Sequence, residues 1–171
     1  MERLATINGR VWVFGDEINT DLMYPHVCYT LPEDERPAYT MWANRPGWAK
    51  AVRPGDILVA GKNFGIGSSR PAAANLLGLG IGCAVAENVN GLFLRNAINY
   101  GLPVTSCRGV TKLVREGEEL ELDLDRGRAT NVATGESLSC TVLPAFLKDI
   151  AESGGIIKAL RARGLLEDEP L

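Results

Sequence analysis

Short apolar runs separated by glycine and proline fill the first two thirds of this chain. Residues 9–14 gather β-branched and aromatic side chains and predict a strand, which Gly15 and Asp16 end. Residues 56–60 read as a short buried strand, and residues 82–86, small and apolar, suit a central strand covered on both faces. Between them residues 71–77 predict a helix. Residues 88–100 predict another, with Leu92, Phe93, Ala97 and Ile98 at helical spacing and Gly101 as its C-cap. Residues 102–107 return as a strand, so the order is strand, helix, strand, helix, strand, which favours parallel pairing through right-handed crossovers. The pattern then changes. Residues 120–125 alternate strictly, 125–128 form a turn, 129–132 pair back as a hairpin, and 137–142 add a strand. A helix opened by Pro144 runs to Glu152, Gly154-Gly155 break it, and 156–163 form a last short helix, after which residues 167–171 fray. Residues 26–54 are the least regular part, because Pro32, Pro37, Pro46 and Pro54 interrupt any long element; a short helix is expected within 38–44. The expected class is α/β, with a mixed sheet and a C-terminal antiparallel layer.

Composition narrows the function. The chain has 171 residues, the size of one ordinary domain, and 46% are hydrophobic, enough for a packed core. The net charge of -3 and the absence of any basic run give no case for nucleic acid. No apolar run approaches the roughly 20 residues of a membrane span. The N-terminus lacks the apolar core of a signal peptide, which points to the cytosol. The four cysteines, Cys28, Cys83, Cys107 and Cys140, are scattered, with no C-x-x-C pair, and the single histidine is His26. By spacing they make neither a zinc nor an iron–sulfur site, so no metal is expected on this chain. Cys83 and Cys107 lie in apolar runs and read as buried thiols. His26 and Cys28 share a loop, where ordinary loop contacts are the plainer reading than a weak metal pair.

The candidate chemistry sits at residues 61–71, Gly-Lys-Asn-Phe-Gly-Ile-Gly-Ser-Ser-Arg-Pro. The segment joins a strand to a helix start. Gly61, Gly65 and Gly67 allow positive φ and close backbone approach. Ser68 and Ser69 fall at or just before the N-cap, and Pro71 suits the first helical turn. Unpaired N–H groups of a helix start, with Arg70 beside them, favour an anion, and a guanidinium fork suits a carboxylate. Three other glycine-turn chemistries fail on spacing. The Walker loop needs Gly-Lys-Ser/Thr, the dinucleotide G-x-G-x-x-G meets Arg70 where its last glycine belongs, and the G-x-S-x-G elbow is absent. The bland alternative is a capped helix with a solvated arginine.

Residues 63–70 resemble the G-x-G-S-S-R signature of the aconitase swivel-domain family. Residues 15–25 are similar to its G-D-x-x-x-T-D-x-x-x-P, and residues 90–103 to its F-x-R-N-x-x-x-x-G-L-P. Residues 143–155 also resemble the tails of its small subunits. The four matches run in family order over nearly the whole chain. The likeness is to the isopropylmalate isomerase branch, in which this domain is a separate small subunit. It implies a swivelling β/β/α three-layer fold over residues 1–171, with a substrate loop at about 22–50.

The resemblance also implies a chemistry: reversible dehydration of a hydroxy di- or tricarboxylic acid by a heteromeric hydro-lyase. Its [4Fe-4S] cluster is carried by a large partner subunit, where it acts as a Lewis acid on the substrate hydroxyl. By the same resemblance Ser68 is the base, Ser69 and Arg70 bind a substrate carboxylate, and Thr20 and Asp21 orient them. The alkoxide of Ser68 needs Arg70 and backbone N–H groups beside it to be accessible. His26, Cys28 and Tyr29 begin the substrate-specificity loop. Two departures stand out. His26-Val27-Cys28-Tyr29 replaces the usual Ala-Arg-Tyr-Leu, and Pro71 replaces an acidic residue. Isopropylmalate of leucine biosynthesis is the leading substrate; homoaconitate, a methylated malate, or a non-catalytic anion-binding role are the alternatives.

Overall fold

The computed structural model describes residues 6–67 and 70–167. Within them lie β1 (Thr6–Val13), β2 (Ile57–Ala60), β3 (Cys83–Ala86), β4 (Val104–Ser106), β5 (Glu119–Asp123), β6 (Arg128–Asn131) and β7 (Ser137–Ser139). They form one mixed sheet in the order β4-β3-β2-β1-β5-β6-β7. The first four run parallel, with Val11 opposite Ile57, Leu58 opposite Ala84 and Val85 opposite Thr105. The rest is antiparallel, with Ile7 opposite Leu122 and Leu122 opposite Ala129. β1 belongs to both halves. Its first residues, Thr6 to Arg10, pair with β5, and Val11 to Val13 pair with β2.

The sheet curls until its outer edges meet. The Thr141 amide donates to the Ser106 carbonyl at 2.7 Å, and the Thr105 hydroxyl donates to the Thr141 carbonyl at 2.7 Å. Joining the edges satisfies backbone groups that an open sheet leaves exposed. Two cores follow from strand alternation. Ile57, Val59, Cys83 and Val85 point into the curl with Val11, Leu120 and Leu122. Leu58, Ala60, Ala84 and Ala86 point outward into a second core. That core is covered by α3 (Ala72–Gly78) and α4 (Gly91–Tyr100), the two crossover helices. The outcome is the expected β/β/α layering. α6 (Ala145–Glu152) and α7 (Ile156–Ala162) pack on α4.

The irregular region differs from expectation. No helix forms within 38–44. A 3-10 turn at Arg36–Tyr39 ends where Thr40 becomes extended, and Met41 takes φ 59°, tied by its amide to the Leu22 carbonyl at 2.8 Å. The helical turns that do form are α1 (Thr20–Met23), a 3-10 turn at His26–Thr30 and α2 (Trp48–Ala51). Trp48 is buried edge-on against Phe14 at 5.1 Å, whereas Trp42 is exposed. A one-turn helix the sequence pattern missed, α5 (Val110–Leu113), is held by Glu87. Its carboxylate accepts from the Gly109 amide at 2.6 Å and the Thr111 hydroxyl at 2.6 Å. No described helix is long and apolar enough to cross a membrane.

Candidate active site

Because β1, β2 and β3 run the same way, their C-terminal ends share one edge, and the loops leaving them form the site. The glycine turn after β2 is laid along the loop after β1. The Gly65 amide donates to the Ile18 carbonyl at 2.7 Å, and the Thr20 amide to the Ile66 carbonyl at 2.9 Å. On its other side Phe64 pairs with Val89, in the loop after β3.

The three glycines serve different ends. Gly65 has φ 80°, and a Cβ there would meet the Phe93 Cβ at 2.2 Å. Gly67 has φ 105° and lies against Thr20, whose Oγ1 would be 3.1 Å from an added Cβ. Gly61, expected to need positive φ, does not take it. It is glycine because the Asp16 Oδ1 occupies the Cβ position, at 2.0 Å.

On the β1 loop, Asn19 caps α1, its Oδ1 accepting from the Leu22 amide at 3.0 Å. The capped turn buries Thr20 and leaves Asp21 half exposed. The Asp21 carboxylate meets the Arg70 Nε at 2.7 Å. Arg70 Nη1 donates to the Tyr24 carbonyl at 3.0 Å, and its guanidinium lies over the Tyr29 ring at 5.7 Å. The arginine is therefore fixed in plane by a single segment, whose Tyr24 lies 46 residues away in the sequence. A planar fork held this way suits a carboxylate.

Ser68 and Ser69, the expected base and second ligand, lie outside the described residues. Among the others, the fold brings Thr20, Asp21, Arg70 and Tyr29 together. The exposed His26 packs tilted against Tyr29, with ring centroids 5.6 Å apart. Cys28 goes elsewhere. It is fully buried, its thiol accepting from Asn75 Nδ2 at 3.6 Å and donating to the Arg36 carbonyl at 3.6 Å. Burial pushes its thiol up, so it stays neutral and packs the loop from inside. The helix start is also revised. α3 begins at Ala72 with Pro71 as its cap residue, and the Ala72 amide donates to the Arg70 carbonyl at 2.7 Å, so Arg70 immediately precedes the helix cap.

Two asparagines hold the site: Asn75, which no motif named, and Asn96, the asparagine of the F-x-R-N motif, to which no role was assigned. Asn75 Nδ2 donates to the Met23 carbonyl at 3.0 Å and to the Arg36 carbonyl at 3.4 Å, tying the irregular region to α3. Asn96 Oδ1 accepts from the Ala73 amide at 3.2 Å, which supplies the cap that Pro71 lacks. For Asn75 the signal was available, since it is the one amide within the apolar helical pattern of α3. Beside the site a cleft of about 520 Å³ is lined by Tyr24, Arg36, Pro37, Pro71, Asn75 and Tyr100, among others.

A profile of the aconitase C-terminal domain matches residues 16–108, the stretch that holds both site loops. The chain belongs to the aconitase C-terminal domain family. Within that family, the isopropylmalate/citramalate isomerase small subunit of Methanocaldococcus jannaschii is 46% identical over 162 residues, 93% of this chain and 96% of that one. The 3-isopropylmalate dehydratase small subunit 1 of Thermotoga maritima is 42% identical over 161 residues, covering 92% and 96%. A crystal structure of 3-isopropylmalate dehydratase from Methanocaldococcus jannaschii matches with TM-score 0.87 at 31% identity, over 94% of this chain and 96% of that one. The aconitase-type mixed sheet is thus common to both. An iron–sulfur cluster does not fit the described residues, in which no three His, Cys, Asp or Glu side chains gather to hold a metal.

Proposed function

We propose that this chain is the small subunit of a heteromeric hydro-lyase of the 3-isopropylmalate dehydratase type, acting in leucine biosynthesis. Support comes from relatives named for that subunit and matched nearly end to end. The observation that carries it is Arg70, locked by Asp21 and Tyr24 and next in sequence to Ser68-Ser69. In this reading Arg70 clamps a substrate carboxylate through its fork, and Ser69 donates a hydrogen bond to the same group. Ser68 takes the proton from the carbon next to that carboxylate. The nearby guanidinium lowers the cost of the alkoxide, more so once a partner excludes water. Asp21 orients Arg70, and Thr20 supports the turn at Gly67. A [4Fe-4S] cluster, which supplies Lewis acidity toward the substrate hydroxyl, belongs to the large subunit.

The cleft beside the site supports an alkyl-bearing substrate. Pro37, Pro71, Ala74 and Gly78 give it apolar walls. Its cation, Arg36, already donates to the Leu31 carbonyl at 3.0 Å and pairs with Glu33 at 3.4 Å. Tyr29 and His26 edge the site, while Cys28 shapes their loop from the core. A methylated malate is the second reading, favoured by the Methanocaldococcus relative whose name includes citramalate.

The test is reconstitution. The chain is co-expressed with its large subunit, and the pair is assayed on isopropylmalate, citramalate and homoaconitate by ultraviolet absorbance of the unsaturated acid. Turnover that needs both chains and is fastest with isopropylmalate is expected. A stable pair that turns over none of the three would end this reading.

A further inference from the structure

Where the curled sheet closes, two cysteines meet. The seam bond runs from the Thr141 amide to the Ser106 carbonyl. β4 runs parallel to β3, and the segment after β7 runs the opposite way, since β5, β6 and β7 each reverse direction. In antiparallel neighbours the residue before 141 therefore lies beside the residue after 106. Those residues are Cys140 and Cys107. Both backbones are anchored in place: the Cys107 amide donates to the Ala86 carbonyl at 2.8 Å, and the Cys140 amide to the Gly127 carbonyl at 2.7 Å. Cys140 packs against the core cluster that contains Cys107. Cys107 is fully buried, and Cys140 is half-buried. The other thiols differ. Cys28 is enclosed by Asn75 and Arg36, and Cys83 is fully buried within β3.

We propose that Cys107 and Cys140 are an oxidisable dithiol whose disulfide staples the seam between β4 and β7. The geometry points the way a disulfide asks for: two residues in opposite register on adjacent antiparallel segments, one packed against the cluster that holds the other. With hydrogen peroxide as oxidant the step balances. The Cys140 sulfur attacks one peroxide oxygen, the O–O bond breaks, and a sulfenic acid forms with loss of water. The Cys107 sulfur then attacks the Cys140 sulfur, the S–S bond forms, the S–O bond breaks, and a second water leaves with the remaining proton. Two thiols lose two electrons and two protons, and one peroxide becomes two waters. The neighbouring Cys140 holds the Cys107 thiol below its usual range, whereas Cys107 and burial push Cys140 up.

The pair is separated by a long stretch that includes β5, β6 and β7, so its closure restrains the unfolded chain. The test treats the full chain with a modest excess of peroxide, counts free thiols, and maps the disulfide by mass spectrometry of a non-reduced digest. Four thiols are expected to fall to two, with a single linkage between the peptides holding Cys107 and Cys140. The thermal midpoint is expected to rise by about 5–10 °C and to return on reduction. Cys140→Ser, at the more tolerant half-exposed position, should keep the fold and lose both the linkage and the rise. Thiols that all survive, or a linkage through Cys28 or Cys83, would overturn the proposal. So would a Cys107–Cys140 linkage that leaves the midpoint unmoved, since the seam would then not be stapled.

Discussion

The two halves of the sheet share β1 but are built on different rules. In the parallel half every residue of β2 and β3 is buried, and both faces are covered. In the antiparallel half β5 and β6 alternate, with Leu120, Leu122, Ala129 and Asn131 inward and their neighbours partly exposed. Parallel strands cannot be joined by tight turns, so each sends a long connection past the same edge. Three such connections converge, and the first two place Thr20, Asp21 and Arg70 together. The antiparallel strands β5, β6 and β7 return through short turns and supply none of Thr20, Asp21, Tyr29 and Arg70. One half carries the site; the other closes the curl and fills its interior. Chemistry and stability should therefore separate on mutation.

The largest separation is expected at Ser68. Ser68→Ala should lower turnover of the assembled enzyme by about 10³-fold or more while the subunits still co-purify. Activity within about tenfold of the parent would remove Ser68 as the base. From the opposite half, Leu122→Ala empties a fully buried position inside the curl. It should cost about 3 kcal/mol in denaturant unfolding, with the Michaelis constant of the surviving enzyme unchanged. A raised Michaelis constant there would show that the halves are coupled. Arg70→Lys keeps the charge but loses the fork. It should raise the Michaelis constant by at least about tenfold with little effect on the thermal midpoint. Equal kinetics would remove the clamp.

The smallest effect concerns acid. Burial raises the Asp56 carboxyl, but hydrogen bonds from Arg10, the Arg53 amide and the Trp12 indole more than offset it, and its net position is below the usual value. Glu116 is lowered by its hydrogen bonds from Arg45, and Glu87 by its bonds to Thr111 and Gly109, which outweigh burial. A depressed folded value stabilises above the unfolded value and is lost as pH falls through the folded one. Stability should be flat near neutrality and fall below about pH 4. Asp56→Asn should weaken that dependence in urea midpoints measured against pH. An unchanged slope would mean that the Arg10–Asp56 pair, which spans β1 and the start of β2, contributes nothing measurable.

Legibility followed the range of the forces involved. The strands at 57–60 and 83–86 and the helices α4 and α6 were readable because their patterning is local. The change from buried runs to strict alternation near residue 120 announced the second half. The irregular region was not readable. Its turns are fixed by remote partners, such as the Leu22 carbonyl at Met41 and Asn75 at Met23 and Arg36. Cys28 shows the same limit, since nothing in His-Val-Cys-Tyr distinguishes the residue that faces the core from those that face the site.

By itself the sequence determined most of the strands and the longer helices, where pairing changes from parallel to antiparallel, and, through its short motifs, which family the chain belongs to. Those follow from side-chain periodicity and turn residues, whose effects act over a few positions. Only the tertiary structure decided that Asp21 and Tyr24 lock Arg70, that Gly61 yields its Cβ space to Asp16, and that Cys107 meets Cys140 at the closing seam. Each of these needs two distant segments brought into contact, and that contact is set by how the sheet curls and how its crossovers pack.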